Sequence, residues 1–350
     1  MYLYDRSNNS NKNPIDDRDK FNSNRFKQNK RNRRKINEDR DKIDRVHNSE
    51  LSISHTIKML ANNSSKKADK NESVIKAEEL KSAMDDMNRL VGLENIKSLI
   101  RQYISFVKIQ RLRERYSLKK LPIVMHMIFR GNPGTGKTTV ARIIARIFNA
   151  IDYLSSGHII EAERADLVGE YIGHTAQKTK KLIDKAMGGI LFIDEAYALA
   201  RGGEKDFGKE AIDTVVKAME DYKDDLIIIM AGYRKEMEEF LQTNPGLRSR
   251  FALHLDFKDY DIDQLVEIAE LMYEEREYIL TEPSKYYLYR ILSLMRSNNK
   301  MQGNARQVRN IVEKSIRHHA HRVVAEKMIS RKDLMNIERA DLVSVFNDIN

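Results

Sequence analysis

From Met84 onward the chain alternates two hydrophobic rhythms. Compact apolar runs at Ile123 to Phe129, His158 to Ile160, Gly189 to Ile193 and Leu226 to Met230 read as strands, and Leu253 to Phe257 alternates with period two. Between them, apolar residues recur at helical spacing. After residue 139, Val140, Ile143, Ile144, Ile147 and Phe148 form one stripe, with Arg142 and Arg146 off it. Five strands with helical crossovers predict an α/β domain over 85–258, a five-stranded parallel sheet with helices on both faces. Past Asp259 the strand signals stop. "DQLVEIAELMYEERE", "SKYYLYRILSLMRS" and "ARQVRNIVEKSIRHHAHRVV" predict a small all-α domain over 259–345. Its core is expected to take Tyr286, Leu288, Tyr289, Ile291 and Leu292. His318, His319 and His321 are expected at its surface, since no carboxylate accompanies them as a metal set would require. No internal repeat is visible.

Residues 1–80 break that rhythm. They are rich in Asn, Lys, Arg, Asp and Ser, and read as a mostly disordered arm, because little apolar surface is available to offset the entropy of ordering. The densest basic part, residues 25–35 ("RFKQNKRNRRK"), could neutralise phosphates and so bind nucleic acid or a membrane surface; a solvated tail is the favoured reading. Net charge is +10, which permits a polyanionic partner without requiring one. The absence of cysteine excludes a disulfide framework, a zinc–thiolate site and a cysteine nucleophile. No apolar run approaches the ~20 residues that cross a bilayer, and the first residues, "MYLYDRSNNSNK", hold no apolar leader, so a cytoplasmic location is expected.

The chemistry concentrates at the end of the first strand. "GNPGTGKT" fits Gly-x-x-x-x-Gly-Lys-Thr, with Gly131, Gly136, Lys137 and Thr138 in the defining places and Pro133, Gly134, Thr135 and Thr139 in or beside the loop. Glycines let backbone N–H groups turn inward around an anion, the following helix adds its positive end, and Lys137 supplies a full charge for the terminal phosphates. ATP is the expected ligand, with Mg²⁺ held by the Thr138 hydroxyl. A second apolar strand, in "GGILFIDEAY", ends in Asp194 and Glu195. Asp194 is placed to hold the Mg²⁺ shell, and Glu195 to polarise an attacking water, so the pair argues for hydrolysis.

The order of Gly-Lys-Thr, Asp-Glu, "PGLRSRF" and "GNARQVRN" resembles the AAA+ family of ring-forming ATPases over residues 85–340. The finer stretches "IEAERADLVGEYIGHTAQKT" and "ALARGGEKDFGKEAIDT" look like the branch that holds a stage V sporulation protein and the red-type Rubisco activases, nearer to the sporulation side. That resemblance implies a homo-oligomeric, hexameric ring, a helical lid domain after the sheet, and remodelling of a protein client, here in bacterial sporulation. It implies that an arginine from one subunit reaches the nucleotide of the next; Arg250 fits that place best and Arg248 is the close second. Arg306 resembles the lid arginine that meets the nucleotide of its own subunit, and Val91 and Gly92 resemble the segment packed on the adenine. Tyr171, Ile172 and Gly173 resemble the loop that grips the client in the central pore, and Asp206 to Glu210 a second pore loop or subunit contact. Tyr233 stands near where many relatives carry an asparagine, a departure that leaves that role open. The rival function is a nucleic-acid-binding ATPase acting through the basic arm.

Overall fold

The computed structural model describes residues 67–119, 121, 124–171, 173–201, 207–298, 303–325 and 329–349. The basic stretch 25–35, Ile172 and Asp206 lie outside these residues. The chain divides into Met1–Val74, of which only the helical residues 67–74 are described, and Ile75–Asn350. Helix α1 runs Lys67–Arg89, so the last part of the segment assigned to a disordered arm is helical. Ala83 and Met87, at i and i+4, are buried against the sheet, and that burial carries the helix into sequence that composition had grouped with the arm.

The second unit follows the predicted alternation. In order come α2 (Glu94–Arg115), β1 (Met127–Gly131), α3 (Lys137–Ala150), β2 (Ile159–Ala162), α4 (Arg164–Leu167), α5 (His174–Ala186), β3 (Ile190–Ile193) and a 3₁₀ turn (Ala196–Ala200). Then follow α6 (Gly208–Asp221), β4 (Ile227–Gly232), α7 (Arg234–Thr243), α8 (Pro245–Arg248) and β5 (Leu253–Phe257). All five strands pair in parallel, in the order β2-β3-β4-β1-β5. Alternation along β1 divides the core. Met127 and Phe129 join α1, α2 and the α3 stripe on one face, while Ile128 joins α5, α6 and α7 on the other.

The first strand begins four residues later than its apolar run suggests. The His126 side chain accepts the Ile228 N–H through Nδ1 (3.0 Å), and regular pairing starts at Met127 with Ile229. Its Nε2 therefore carries the proton and donates to the Met219 carbonyl at 3.0 Å.

The lid comprises α9 (Ile262–Glu274), α10 (Glu282–Ser297), α11 (Asn304–Val324), α12 (Arg331–Met335) and α13 (Arg339–Ile349). It is not wholly helical: β6 (Ile279–Leu280) and β7 (Asn336–Ile337) pair in parallel. Leu288, Ile291 and Leu292 are buried as expected, but Tyr286 and Tyr289 lie on the outer edge of α10 and are exposed. His319 is the opposite case. It is only 3% exposed, its Nε2 bonded to the Asp333 carbonyl (2.7 Å) and its ring edge-on to Tyr278, so it belongs to the lid interior rather than its surface.

Candidate functional site

The parallel sheet brings the ends of β1, β3 and β4 to one edge, where ligands of such sheets bind. The glycine loop leaves β1 at Gly131 and enters α3 at Lys137. Its carbonyls are all engaged. Lys137 Nζ donates to the oxygens of Gly131 (2.8 Å) and Asn132 (2.9 Å), and the Thr135 hydroxyl also donates to Asn132 O (2.8 Å). The Pro133 oxygen accepts from Asn304 Nδ2 (3.3 Å), Gly134 O from the Ala305 N–H (3.1 Å), Thr135 O from the Tyr260 hydroxyl (3.1 Å), and Gly136 O from the Val140 N–H (2.9 Å). By contrast, among the described residues the N–H groups of Gly134, Thr135, Gly136, Lys137 and Thr138 have no hydrogen-bond partner. A run of outward carbonyls and unpaired N–H groups at a helix start is a site for an anion.

Lys137 stands at the centre of this array. Burial draws its ammonium below the usual lysine range, while the carboxylates of Asp194, Glu195 and Asp259 pull it back and Arg306 opposes it. Asp194, Glu195 and Arg306 thus act electrostatically on the lysine. Asp194 is half-buried, and its Oδ1 accepts the Glu195 N–H (2.9 Å). Glu195 is exposed and holds a left-handed backbone (φ 46, ψ 40), a conformation that costs a non-glycine residue about 1 kcal/mol. Behind it Tyr197 is buried, its ring 6.1 Å from that of Tyr233, and burial together with Glu195 pushes its hydroxyl up to about 12. Thr138 is half-buried at the start of α3 and Thr139 exposed.

The lid meets the loop directly. Gly134 has φ +72, and a Cβ there would lie inside contact distance of the Gly303 carbonyl and 2.9 Å from the Arg306 nitrogen. Only glycine allows that approach. Asn304, 6% exposed, also donates to Asp259 Oδ1 (2.8 Å) and accepts the Tyr260 N–H (3.1 Å), while Asn132 donates to both oxygens of Asp259. Val91 is buried in the lid core with Tyr260, and Gly92 packs under the Gln264 side chain.

Arg250 is turned elsewhere. Its two terminal nitrogens meet Glu220 Oε1 (3.1 Å) and the Gly246 carbonyl (2.9 Å), and its Nε is buried without a partner. Arg248 is exposed. Neither arginine is among the charges felt by Lys137 of the same chain.

Comparison with known proteins decides the family. The description "ATPase family associated with various cellular activities (AAA)" matches residues 127–259, and "AAA lid domain" matches 261–349. Stage V sporulation protein K of Bacillus subtilis (strain 168) is 52% identical over 265 residues, which cover 75% of this chain and 82% of that protein. The chain belongs to the AAA family of ATPases. The chloroplastic ribulose bisphosphate carboxylase/oxygenase activase of Cyanidioschyzon merolae is 42% identical over 273 residues, 77% of this chain and 92% of that one. A variant of RuvB from Thermotoga maritima shares the fold at TM-score 0.50 and 19% identity, over 74% of this chain and 70% of that one. As an AAA ATPase the protein binds and hydrolyses ATP. Among the described residues no helix is long and apolar enough to cross a membrane.

In this AAA domain Tyr171 is 66% exposed, its ring edge-on to His174 at 5.5 Å, and Gly173 precedes α5 with φ +81. Sequence reasoning missed Asn132, Asp259, Tyr260 and Asn304. The signal available was the pair "DY" one residue past the fifth strand and the asparagine two residues before Arg306, but nothing in one sequence says that they meet.

Proposed function

We propose that this ATPase acts as a ring, hexameric by resemblance to its relatives, in which each nucleotide lies between two subunits and hydrolysis drives remodelling of a protein client. The observation that carries this reading is the division of the site. Lys137 of the loop interacts electrostatically with Asp194, Glu195 and Arg306, whereas Arg250 is held by Glu220 and the Gly246 carbonyl of its own chain. A guanidinium so placed serves a neighbour's site rather than its own.

The loop N–H groups and Lys137 bind the phosphates. Glu195 takes a proton from water as the water oxygen bonds to the γ-phosphorus and the bridging bond to ADP breaks, and the neighbour's Arg250 stabilises the charge that develops. Thr138 and the half-buried Asp194 offer the hard oxygen ligands that suit Mg²⁺, which when bound would neutralise phosphate charge. Val91 and Gly92 flank the base, and Tyr171, with Ile172 and Gly173, grips the client. The likeness to stage V sporulation protein K supports a client in sporulation.

The test mixes two inactive forms. Glu195→Gln and Arg250→Ala are each expected to lose hydrolysis by about 100-fold or more. Mixed rings regain it, because an intact Glu195 site then receives Arg250 from the other variant. Absence of any recovery on mixing, or full activity of an Arg248→Ala/Arg250→Ala double variant, would refute the shared site.

A further inference from the structure

We propose that the lid is a working part of the phosphate loop: Tyr260, Asn304 and the Ala305 N–H are positioning groups that hold three consecutive loop carbonyls and so aim the loop's N–H groups at the phosphates. The inference rests on reading the loop as the phosphate site and adds what shapes it.

The argument begins with peptide geometry. In a trans peptide the C=O and the next residue's N–H point in opposite directions, so fixing one fixes the other. Asn304 Nδ2 holds the Pro133 oxygen, which turns the Gly134 N–H away from the lid. The Ala305 N–H holds Gly134 O and turns the Thr135 N–H away, and the Tyr260 hydroxyl holds Thr135 O and turns the Gly136 N–H away. Those three N–H groups belong to the set without partners among the described residues. Among the described residues, every lid hydrogen bond to the loop backbone thus lands on a carbonyl, and no lid acceptor competes with an anion for the backbone N–H groups.

The three pins are themselves braced. Asn304 has a left-handed backbone (φ 42), is buried, and spends its side chain on Pro133, Asp259 and the Tyr260 N–H together. Asn132 closes the circuit from the loop side through Asp259. The Arg296 guanidinium donates to the Tyr260 carbonyl, which ties that residue to α10. Tyr260 is buried, and burial pushes its hydroxyl up to about 12, so it remains a donor throughout the neutral range. Gly134 is the matching device in the loop, since any side chain there would separate the two partners.

Binding to the full-length chain tests the proposal, with ADP and adenosine as probes. Tyr260→Phe deletes one hydroxyl and keeps the ring, while Asn304→Gly removes the side chain and accepts the same φ. Each removes one hydrogen bond to the loop and is expected to weaken ADP about three- to tenfold, and the double variant by at least tenfold. The weakening should spare adenosine, which has no phosphates, and in turnover it should appear in KM for ATP more than in kcat. ADP affinity within twofold of the parent in both variants, or an equal loss for adenosine, overturns the proposal. Lys137→Ala is the control: if it retains ADP affinity, the loop is not the phosphate site and the underlying reading fails as well, whereas its loss beside an unaffected Tyr260→Phe and Asn304→Gly defeats the lid role alone.

Discussion

Two glycines with similar backbones separate conformational strain from lid contact. Gly134 has φ +72 and Gly173 has φ +81, so alanine at either position incurs the left-handed penalty of about 1 kcal/mol. Around Gly173 no described residue beyond its chain neighbours lies within 4 Å of an added Cβ, and the penalty is the whole effect. At Gly134 the added carbon overlaps the Gly303 carbonyl and stands 2.9 Å from the Arg306 nitrogen and 3.2 Å from the Arg306 Cβ, where carbon contacts need about 3.5 Å or more. The start of α11 must retreat. That retreat breaks the Ala305 to Gly134 and Asn304 to Pro133 hydrogen bonds, worth about 1 kcal/mol each. Gly134→Ala should therefore cost about 3 kcal/mol in urea unfolding against about 1 kcal/mol for Gly173→Ala. Only Gly134→Ala should also reduce ADP affinity. Equal destabilisation by the two substitutions, with nucleotide affinity intact in both, would refute the lid contact as a source of loop order.

Three further outcomes are expected. Tyr171→Ala should leave ATP turnover within about twofold while abolishing client remodelling, as the proposed client grip requires of an exposed ring that meets His174 edge-on; steady-state ATPase and a client-unfolding assay check it. Glu195→Gly should relieve the left-handed strain and so unfold at equal or higher urea, while hydrolysis falls about 100-fold or more. Burial holds the His126 imidazole below its ordinary 6.5, with the Met219 carbonyl bond partly opposing, so the unfolded chain binds the extra proton below that value. The His126 contribution should then be level above pH 6.5 and fall as pH drops below it, by up to about 1.4 kcal/mol between pH 7.5 and 5.5, so that His126→Gln reduces the slope and leaves the part due to His254, which burial also holds below 6.5.

The parts of this molecule governed by local pattern were legible in the sequence. Apolar runs set the strands, and the α3 stripe of Val140, Ile143, Ile144, Ile147 and Phe148 is buried as its spacing implied. Strand ends were less legible because side chains intervene: His126 takes the Ile228 N–H that would otherwise extend the β1 ladder. Polar residues misled in both directions. His319 looked like surface, yet one carbonyl and one aromatic edge satisfy it inside the lid, while Tyr286 and Tyr289 share a helix with core residues but face the solvent side. The glycine loop and the Asp194–Glu195 pair announce themselves because their chemistry is consecutive in the chain. Asn304 and Tyr260 do not: their partners are 171 and 125 residues away, and a single asparagine or tyrosine has too many ordinary uses to mark such a contact.

The lid's hold on the loop also sets the scale of the proposed coupling between lid and nucleotide. Three hydrogen bonds of about 1 kcal/mol each join Tyr260, Asn304 and Ala305 to the loop, so a lid that leaves forfeits about 3 kcal/mol of loop order. Coupling energies between linked sites run about 1–3 kcal/mol, a change of up to roughly 150-fold in affinity. By reciprocity, a nucleotide that prefers the ordered loop draws the lid down by the same amount that the lid improves the nucleotide's binding. A much stronger attachment would hold the lid shut after product release, and a much weaker one would leave α11 and Arg306 indifferent to the loop. Arg306 acts electrostatically on Lys137 from the same lid helix, and a Tyr260→Phe/Asn304→Gly double variant should lose the correlation between lid closure and bound ADP. A distance probe between α11 and α3 that closes on ADP in the parent, and closes equally in the double variant, would show that Arg306 alone carries the coupling.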